Sequence, residues 1–125
     1  RTVHAMGPDP KYVNTMRRNY AHVANLKPIL GAISNVSRVS SYAAASRAGM
    51  RFFPLSAEAL ASKLRTYTLD ELFTNVWPSE RLGFAQFDVD GHERWLLDGG
   101  RKILARDRPI FTTELHVHEN AATSR

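Results

Sequence analysis

The chain has 125 residues, 43% of them hydrophobic and 23% charged, which is enough for one domain around one core and too short for two. It contains no cysteine, which excludes disulfides, thiolate zinc sites and a cysteine nucleophile and fits a cytoplasmic setting. The net charge is +5, but the basic residues are scattered without a block of like charge, so a solvated basic surface is the preferred reading and nucleic acid the minority one.

No apolar run approaches the ~20 residues that span a bilayer, and the N-terminus lacks the order of a signal peptide. Residues 2–6 are short and mainly apolar and predict a strand, broken by Gly7-Pro8-Asp9-Pro10. Asp9 is a good N-cap and Pro10 suits the first helical position. The helix that follows runs to about Tyr20, with Tyr12, Val13, Met16 and Tyr20 on one face. Residues 28–34 predict a second strand. The Ser- and Ala-rich stretch 35–62 carries short strands near 39–42 and 51–55, and 56–64 reads as a helical turn or a loop. Residues 64–68 are β-prone. Thr68 or Asp70 then caps a short helix holding Leu69, Leu72, Phe73 and Val76, which Trp77-Pro78 ends. Residues 82–87 have the composition of a strand buried on both faces.

A helix follows over 92–105, with Leu96, Leu97, Gly100, Ile103 and Leu104 as its apolar face. Gly99-Gly100 weakens it by up to ~1 kcal/mol per glycine. A close approach of helix to sheet explains small residues there. Pro109 introduces the last strand, 110–115, and 119–125 is a polar tail expected to fray.

Strands alternating with helices predict an α/β fold with a mainly parallel sheet, whose ligands sit at the carboxyl ends of the strands. Asp88 stands at such an end, where a carboxylate orients an acceptor hydroxyl or takes its proton. The competing role is a structural bond to amides of the next helix. Asp90 and Glu93 flank the helix start, where the dipole favours negative charge. Asp90 lines the site in this reading, whereas capping and chemistry are equal options for Glu93. Glu114 and His116 share one side of the last strand, with His118 continuing the period of two. An H-x-H pattern near Asp88 is compatible with a metal, but a polar cluster at the sheet edge is preferred and no metal is assigned. His4 reads as structural, and His92, beside Gly91, as exposed at the crevice. Trp77, Trp95, Phe52 and Phe53 read as packing residues rather than a base-stacking platform.

The segment 82–116, LGFAQFDVDGHERWLLDGGRKILARDRPIFTTELH, resembles the FkbM family of methyltransferases. Gln86, Phe87, Asp88, Val89, Asp90, Gly91 and Glu93 match that family's strand-end pattern K-I-D-V-E-G-x-E. Leu97, Gly99, Gly100, Pro109 and Glu114-Leu115 follow in the family's order. Upstream, Leu69-Asp70-Glu71-Leu72 looks like its T-L-D-E-L segment, Pro8-Asp9-Pro10 like its E-P-N-P turn with Asn19 at the helix end, and Gly31 to Asn35 like its A-x-G-D segment. The resemblance implies a Rossmann-like class I methyltransferase sheet in a single partial domain, 1–125, truncated at both ends. It implies methyl transfer from S-adenosyl-L-methionine to a hydroxyl of a small molecule or sugar. By the same resemblance Asp9, Ser34 and Asn35 face the cofactor, Asp88 and Glu114 serve catalysis, and Asp90, His92 and His116 face the substrate.

The sequence departs from the pattern at Gly7, where the family has an acidic residue, at Asn35 in place of Asp, and at Gln86 in place of Lys. The family's first strand and Gly-rich loop would precede Arg1. Two further readings stand beside the enzyme: a non-catalytic remnant serving as a binding module, and a basic nucleic-acid-binding or nucleic-acid-methylating domain.

Overall fold

The computed structural model describes residues 1–50, 52, 55–88 and 92–113. The first strand, β1 (Val3–Gly7), gives way at Pro8 to α1 (Pro10–Asn19). Asp9 caps α1 by accepting from the Lys11 N–H, Pro10 fills the first turn, and Val13 is its buried contact. The next strand, β2 (Leu26–Leu30), pairs parallel with β1, from Val3 opposite Leu26 to Gly7 opposite Leu30. Gly31 separates it from β3 (Ala32–Ile33), which pairs parallel with β5 (Lys63–Tyr67). On the other side of β5, β4 (Arg38–Ser41) lies antiparallel. A separate parallel pair is formed by β6 (Phe84–Phe87) and β7 (Ile110–Thr113). The fold is therefore mixed α/β, built from small and mainly parallel sheets.

Serine caps start the two helices between β4 and β5. Ser41 accepts from Ala44 N–H at the start of α2 (Tyr42–Arg47), and Ser56 accepts from Ala59 N–H at the start of α3 (Ala57–Leu60). The stretch 56–64 thus resolves into a helical turn that runs into β5. Phe52 and Leu55 stand in no strand, and the rest of the strand expected at 51–55 lies outside the described residues.

Alternation along the strands sends side chains to two cores. Ile33 and Tyr67 join Met6 and Ala85 against a cluster of Leu69, Leu72, Phe73, Phe87, Leu96 and Ile103. Ala32 and Leu64 face the opposite way, into a cluster with Tyr42, Ala45, Met50 and Ala59.

Thr68 caps α4 (Leu69–Glu71) by accepting from the Glu71 N–H. The helix continues as a π-helical segment, Leu72–Val76, closed by Trp77 N–H donating to the Leu72 carbonyl at 2.7 Å. Trp77 then stacks on His4 with ring centroids 3.6 Å apart, and His4 Nε2 lies 2.6 Å from Glu80 Oε2.

Two expectations need correction. The helix expected over 92–105 is in fact α5 (Glu93–Gly99) and α6 (Arg101–Asp107), interrupted at Gly100. Two consecutive glycines weaken the helix there, and the new N-terminus has no capping side chain of its own. Asp70 supplies one from α4, accepting from Ile103 N–H at 2.9 Å and Lys102 N–H at 3.3 Å. Asp70 therefore caps α6, and Thr68 alone caps α4.

The second correction concerns β6, which is not buried on both faces. Phe87 is buried and Ala85 packs on the core, but Phe84 is 63% exposed and its neighbour in register, Ile110, is 74% exposed. The helical contacts of β6 fall on one side, and among the described residues no helix covers the other.

The loop before β6 is fastened by Asp107, whose side chain is almost fully buried. It accepts from Arg106 Nε at 2.6 Å, Arg106 Nη2 at 2.8 Å and the Leu82 N–H at 2.9 Å. The Arg106 hydrogen bonds hold its carboxyl down to about 2, against an ordinary value of 3.8. A depressed carboxyl stabilises the fold above its unfolded value and loses that contribution as pH falls through the folded value. Urea unfolding should therefore show a loss on the order of 1–2 kcal/mol between pH 5 and pH 2 that Asp107→Asn lacks. An unchanged pH profile in the variant would show that Asp107 is not responsible.

Candidate functional site

Asp88 follows Phe87 directly at the carboxyl end of β6 and is exposed to solvent. Beside it a small, shallow apolar cleft opens between α5 and the β6–β7 pair. Phe87, Phe111 and Thr113 line it from the strands, and Glu93, Leu96 and Leu97 from the helix. The Phe87 and Phe111 rings meet at 6.0 Å. Glu93 opens α5 and is only 7% exposed, with its charge at the favoured end of the helix.

His92 precedes α5 and is buried, its ring 5.0 Å from that of Trp95. The expectation of an exposed imidazole is thereby corrected: packing on Trp95, which in turn lies over Gly49, removes it from solvent.

The end of β3 presents Ser34 and Asn35. Ser34 is buried, donates its N–H to the Tyr67 carbonyl at 2.8 Å, and donates its hydroxyl to Asn35 Oδ1 at 3.2 Å. Asn35 is exposed. The last residue of α5 packs directly on this pair, since a Cβ placed on Gly99 would stand 2.5 Å from the Ser34 carbonyl oxygen and 3.2 Å from Asn35 Cα. One helix therefore connects the two strand ends, Glu93 at the cleft and Gly99 against Ser34–Asn35. The close approach expected from the paired glycines is present.

At the end of β1 stands Gly7, followed by the buried carboxylate of Asp9. Oδ1 accepts from Lys11 N–H at 2.9 Å and from the Ser56 hydroxyl at 2.6 Å, and Oδ2 accepts from Ser56 N–H at 2.8 Å. Burial pushes this carboxyl up, but the bonds from Ser56 and Lys11 outweigh it and hold it below its ordinary value. The Tyr42 hydroxyl donates to the Pro8 carbonyl in the same turn. Asp9 thus straps the turn after β1 to α3. Asp9→Ala removes a cap and leaves the Ser56 donors without their acceptor, at a cost of about 2 kcal/mol. An unshifted urea midpoint would show that the strap contributes nothing.

Asp90, Glu114 and His116, with His118, lie outside the described residues. Among the described residues, no group of three or more His, Asp or Glu side chains is placed to hold a metal. The donors at the strand ends fit S-adenosyl-L-methionine in part. The exposed amide of Asn35, with Ser34 beside it, suits the hydrogen-bonding edge of an adenine. A ribose hydroxyl pair calls for an acceptor at the end of β1. There Gly7 has none, and both Asp9 oxygens are already engaged by Ser56 and Lys11.

Sequence reasoning left the cleft unseen. Its signal was Glu93 followed by Leu96 and Leu97, three residues that share a helix face by their spacing.

An α/β domain that gathers polar side chains at the carboxyl ends of parallel strands is organised to hold a small ligand there. The chain matches the Methyltransferase FkbM domain family over residues 1–123, and it belongs to that family. No curated protein and no solved structure matches it. Among the described residues, no helix is long and apolar enough to cross a membrane.

Proposed function

We propose that this domain transfers a methyl group to a hydroxyl oxygen of a small-molecule or sugar-containing acceptor, with ligands held at the carboxyl ends of a Rossmann-like sheet. The observation that carries the reading is the exposed carboxylate of Asp88, at the end of β6 and beside an apolar cleft. S-adenosyl-L-methionine, when bound, supplies the methyl group. Asn35 and Ser34 would hold its adenine end, and Asp9 would act at one remove, by fixing the turn after β1. Asp88 orients the acceptor hydroxyl and takes its proton as the oxygen is alkylated. The family pattern adds Glu114, Asp90 and His116 to the acceptor side. His92, buried on Trp95, contributes from beneath the surface. The lack of cysteine fits a cytoplasmic setting.

A second reading is favoured by one observation. With Gly7 at the end of β1 and Asp9 engaged by Ser56, the ribose side lacks a free carboxylate, as in a binding module that has lost catalysis. Calorimetric titration with S-adenosyl-L-methionine, followed by radiolabel transfer to a panel of hydroxylated acceptors, separates the two. Heat with label transfer supports the enzyme. Heat without transfer to any acceptor, or no heat at millimolar cofactor, rejects it for this chain.

A further inference from the structure

Ser34 and Asn35 stand on a segment that crosses over a strand. The chain leaves β3 on one side of β5 and enters β4 on the other, so residues 34–37 form an arch over the carboxyl end of β5. We infer that Thr66 and Ser37 are positioning residues for the cofactor's adenine, their hydroxyls holding this arch in the shape that brings the Ser34 and Asn35 side chains to one edge. The inference rests on the cofactor side of the methyl-transfer reading and goes beyond it, because neither residue acts by touching the ligand.

Packing does little to hold the arch. Asn35 is exposed and Val36 is 46% exposed, so neither side chain anchors it in a core. Gly99 bounds it on one side, but as a wall against the Ser34 carbonyl and Asn35 Cα rather than a tether. The shape is left to hydrogen bonds from three consecutive residues. At the entry the Tyr67 carbonyl accepts from Ser34 N–H at 2.8 Å. At the exit the Ser37 hydroxyl accepts from Thr68 N–H at 3.0 Å. In between, the Thr66 hydroxyl donates to the Val36 carbonyl at 2.7 Å, with the Arg38 carbonyl a longer alternative at 3.3 Å, and accepts from Arg38 N–H at 3.2 Å.

Thr66 is only 2% exposed, on the side of β5 where Leu64 enters a core. A valine would have the same branched shape and suit such a place, so the hydroxyl is what the arch requires of Thr66. Without it the Val36 carbonyl and the Arg38 N–H lose this partner, and the arch relaxes into several conformers. Only a fraction of them present Ser34 and Asn35 together, and the apparent affinity falls by that fraction.

The test uses the whole 125-residue chain with adenosine as the probe, in parallel with S-adenosyl-L-methionine. Adenosine should shift the backbone amides of Asn35 and Val36. Thr66→Val should weaken its binding about tenfold, the effect of one lost hydrogen bond, whereas Thr66→Ser should stay within about threefold of the parent. The serine variant gives up a buried methyl and melts lower, so affinity that follows the hydroxyl rather than the melting temperature separates positioning from a general loss of stability. Ser37→Ala, at a half-buried position outside both cores, should weaken adenosine in the same direction and carries the test if the valine variant does not fold. In methyl transfer, Thr66→Val should raise KM for S-adenosyl-L-methionine about tenfold and leave kcat near that of the parent. Unshifted Asn35 and Val36 amides overturn the inference, as does parental affinity in Thr66→Val or Ser37→Ala, or an equal loss in Thr66→Ser. Adenosine binding with these effects but no methyl transfer to any acceptor rejects the methyl-transfer reading alone. Methyl transfer with an unchanged KM in Thr66→Val rejects the positioning role alone.

Discussion

Gly99→Val should destabilise the domain by about 3 kcal/mol, the largest stability effect foreseen from a single added side chain. A Cβ at this position meets the Ser34 carbonyl oxygen at 2.5 Å, with Asn35 Cα and Thr68 Cβ each at 3.2 Å. The closest neighbour is backbone, held in place by the Ser34 N–H bond to Tyr67, so it cannot swing away as a side chain would. Replacing glycine in a helix returns less than about 1 kcal/mol of propensity, and overpacking a rigid contact costs about 1–3 kcal/mol or more. The clash outweighs the propensity. Because α5 also carries Glu93, a shifted helix would distort the cleft and the Ser34–Asn35 edge together. A melting temperature equal to or above that of the parent would show that the helix moves aside at no cost.

Asp88→Asn should lower methyl transfer by roughly 10²- to 10⁴-fold, the range that general-base contributions span, with cofactor affinity retained. The substituted amide keeps the size and a carbonyl oxygen for orienting the acceptor, and it loses the capacity to take the proton. Thermal unfolding should stay close to that of the parent, since the side chain is exposed. A variant retaining most of the activity would relegate Asp88 to the structural role weighed for it. A variant that melts many degrees lower would point the same way, toward a carboxylate that holds the next helix.

What the sequence made legible was local. Asp9 and Thr68 precede helices in the pattern their side chains serve, because a cap is a contact between near neighbours, whereas the Ser41 cap and the helix α2 it starts were hidden in a stretch that read as a strand. The parallel pairs were likewise foreseeable from strands separated by helical stretches. Asp70 escaped because its partners are 32 and 33 residues away, on a helix that exists separately only because Gly100 interrupts it. The π-helical turn before Trp77 left no sign, since an apolar run of this length suits either register. Burial of His92 depended on Trp95 lying over Gly49, a contact between α5 and the turn after α2, far apart in the chain. At the candidate site, Asp88 was legible from its place after a strand. The cleft was not, because its walls come from β6, β7 and α5 meeting in space.

The bare side of the β6–β7 pair has a thermodynamic consequence. Phe84 and Ile110 are already largely hydrated in the folded state, so their release adds little to the heat-capacity increase on unfolding. Little of the hydrophobic driving force is therefore invested in keeping these two strands together, compared with the doubly packed region around Leu64 and Leu69. Stability should be graded along the chain, lowest at β7, and the amide hydrogens of Phe111 and Thr112 should exchange well before those of β5. A ligand seated between α5 and these strands would reach the softest part of the domain, and its occupancy would register as slower exchange there.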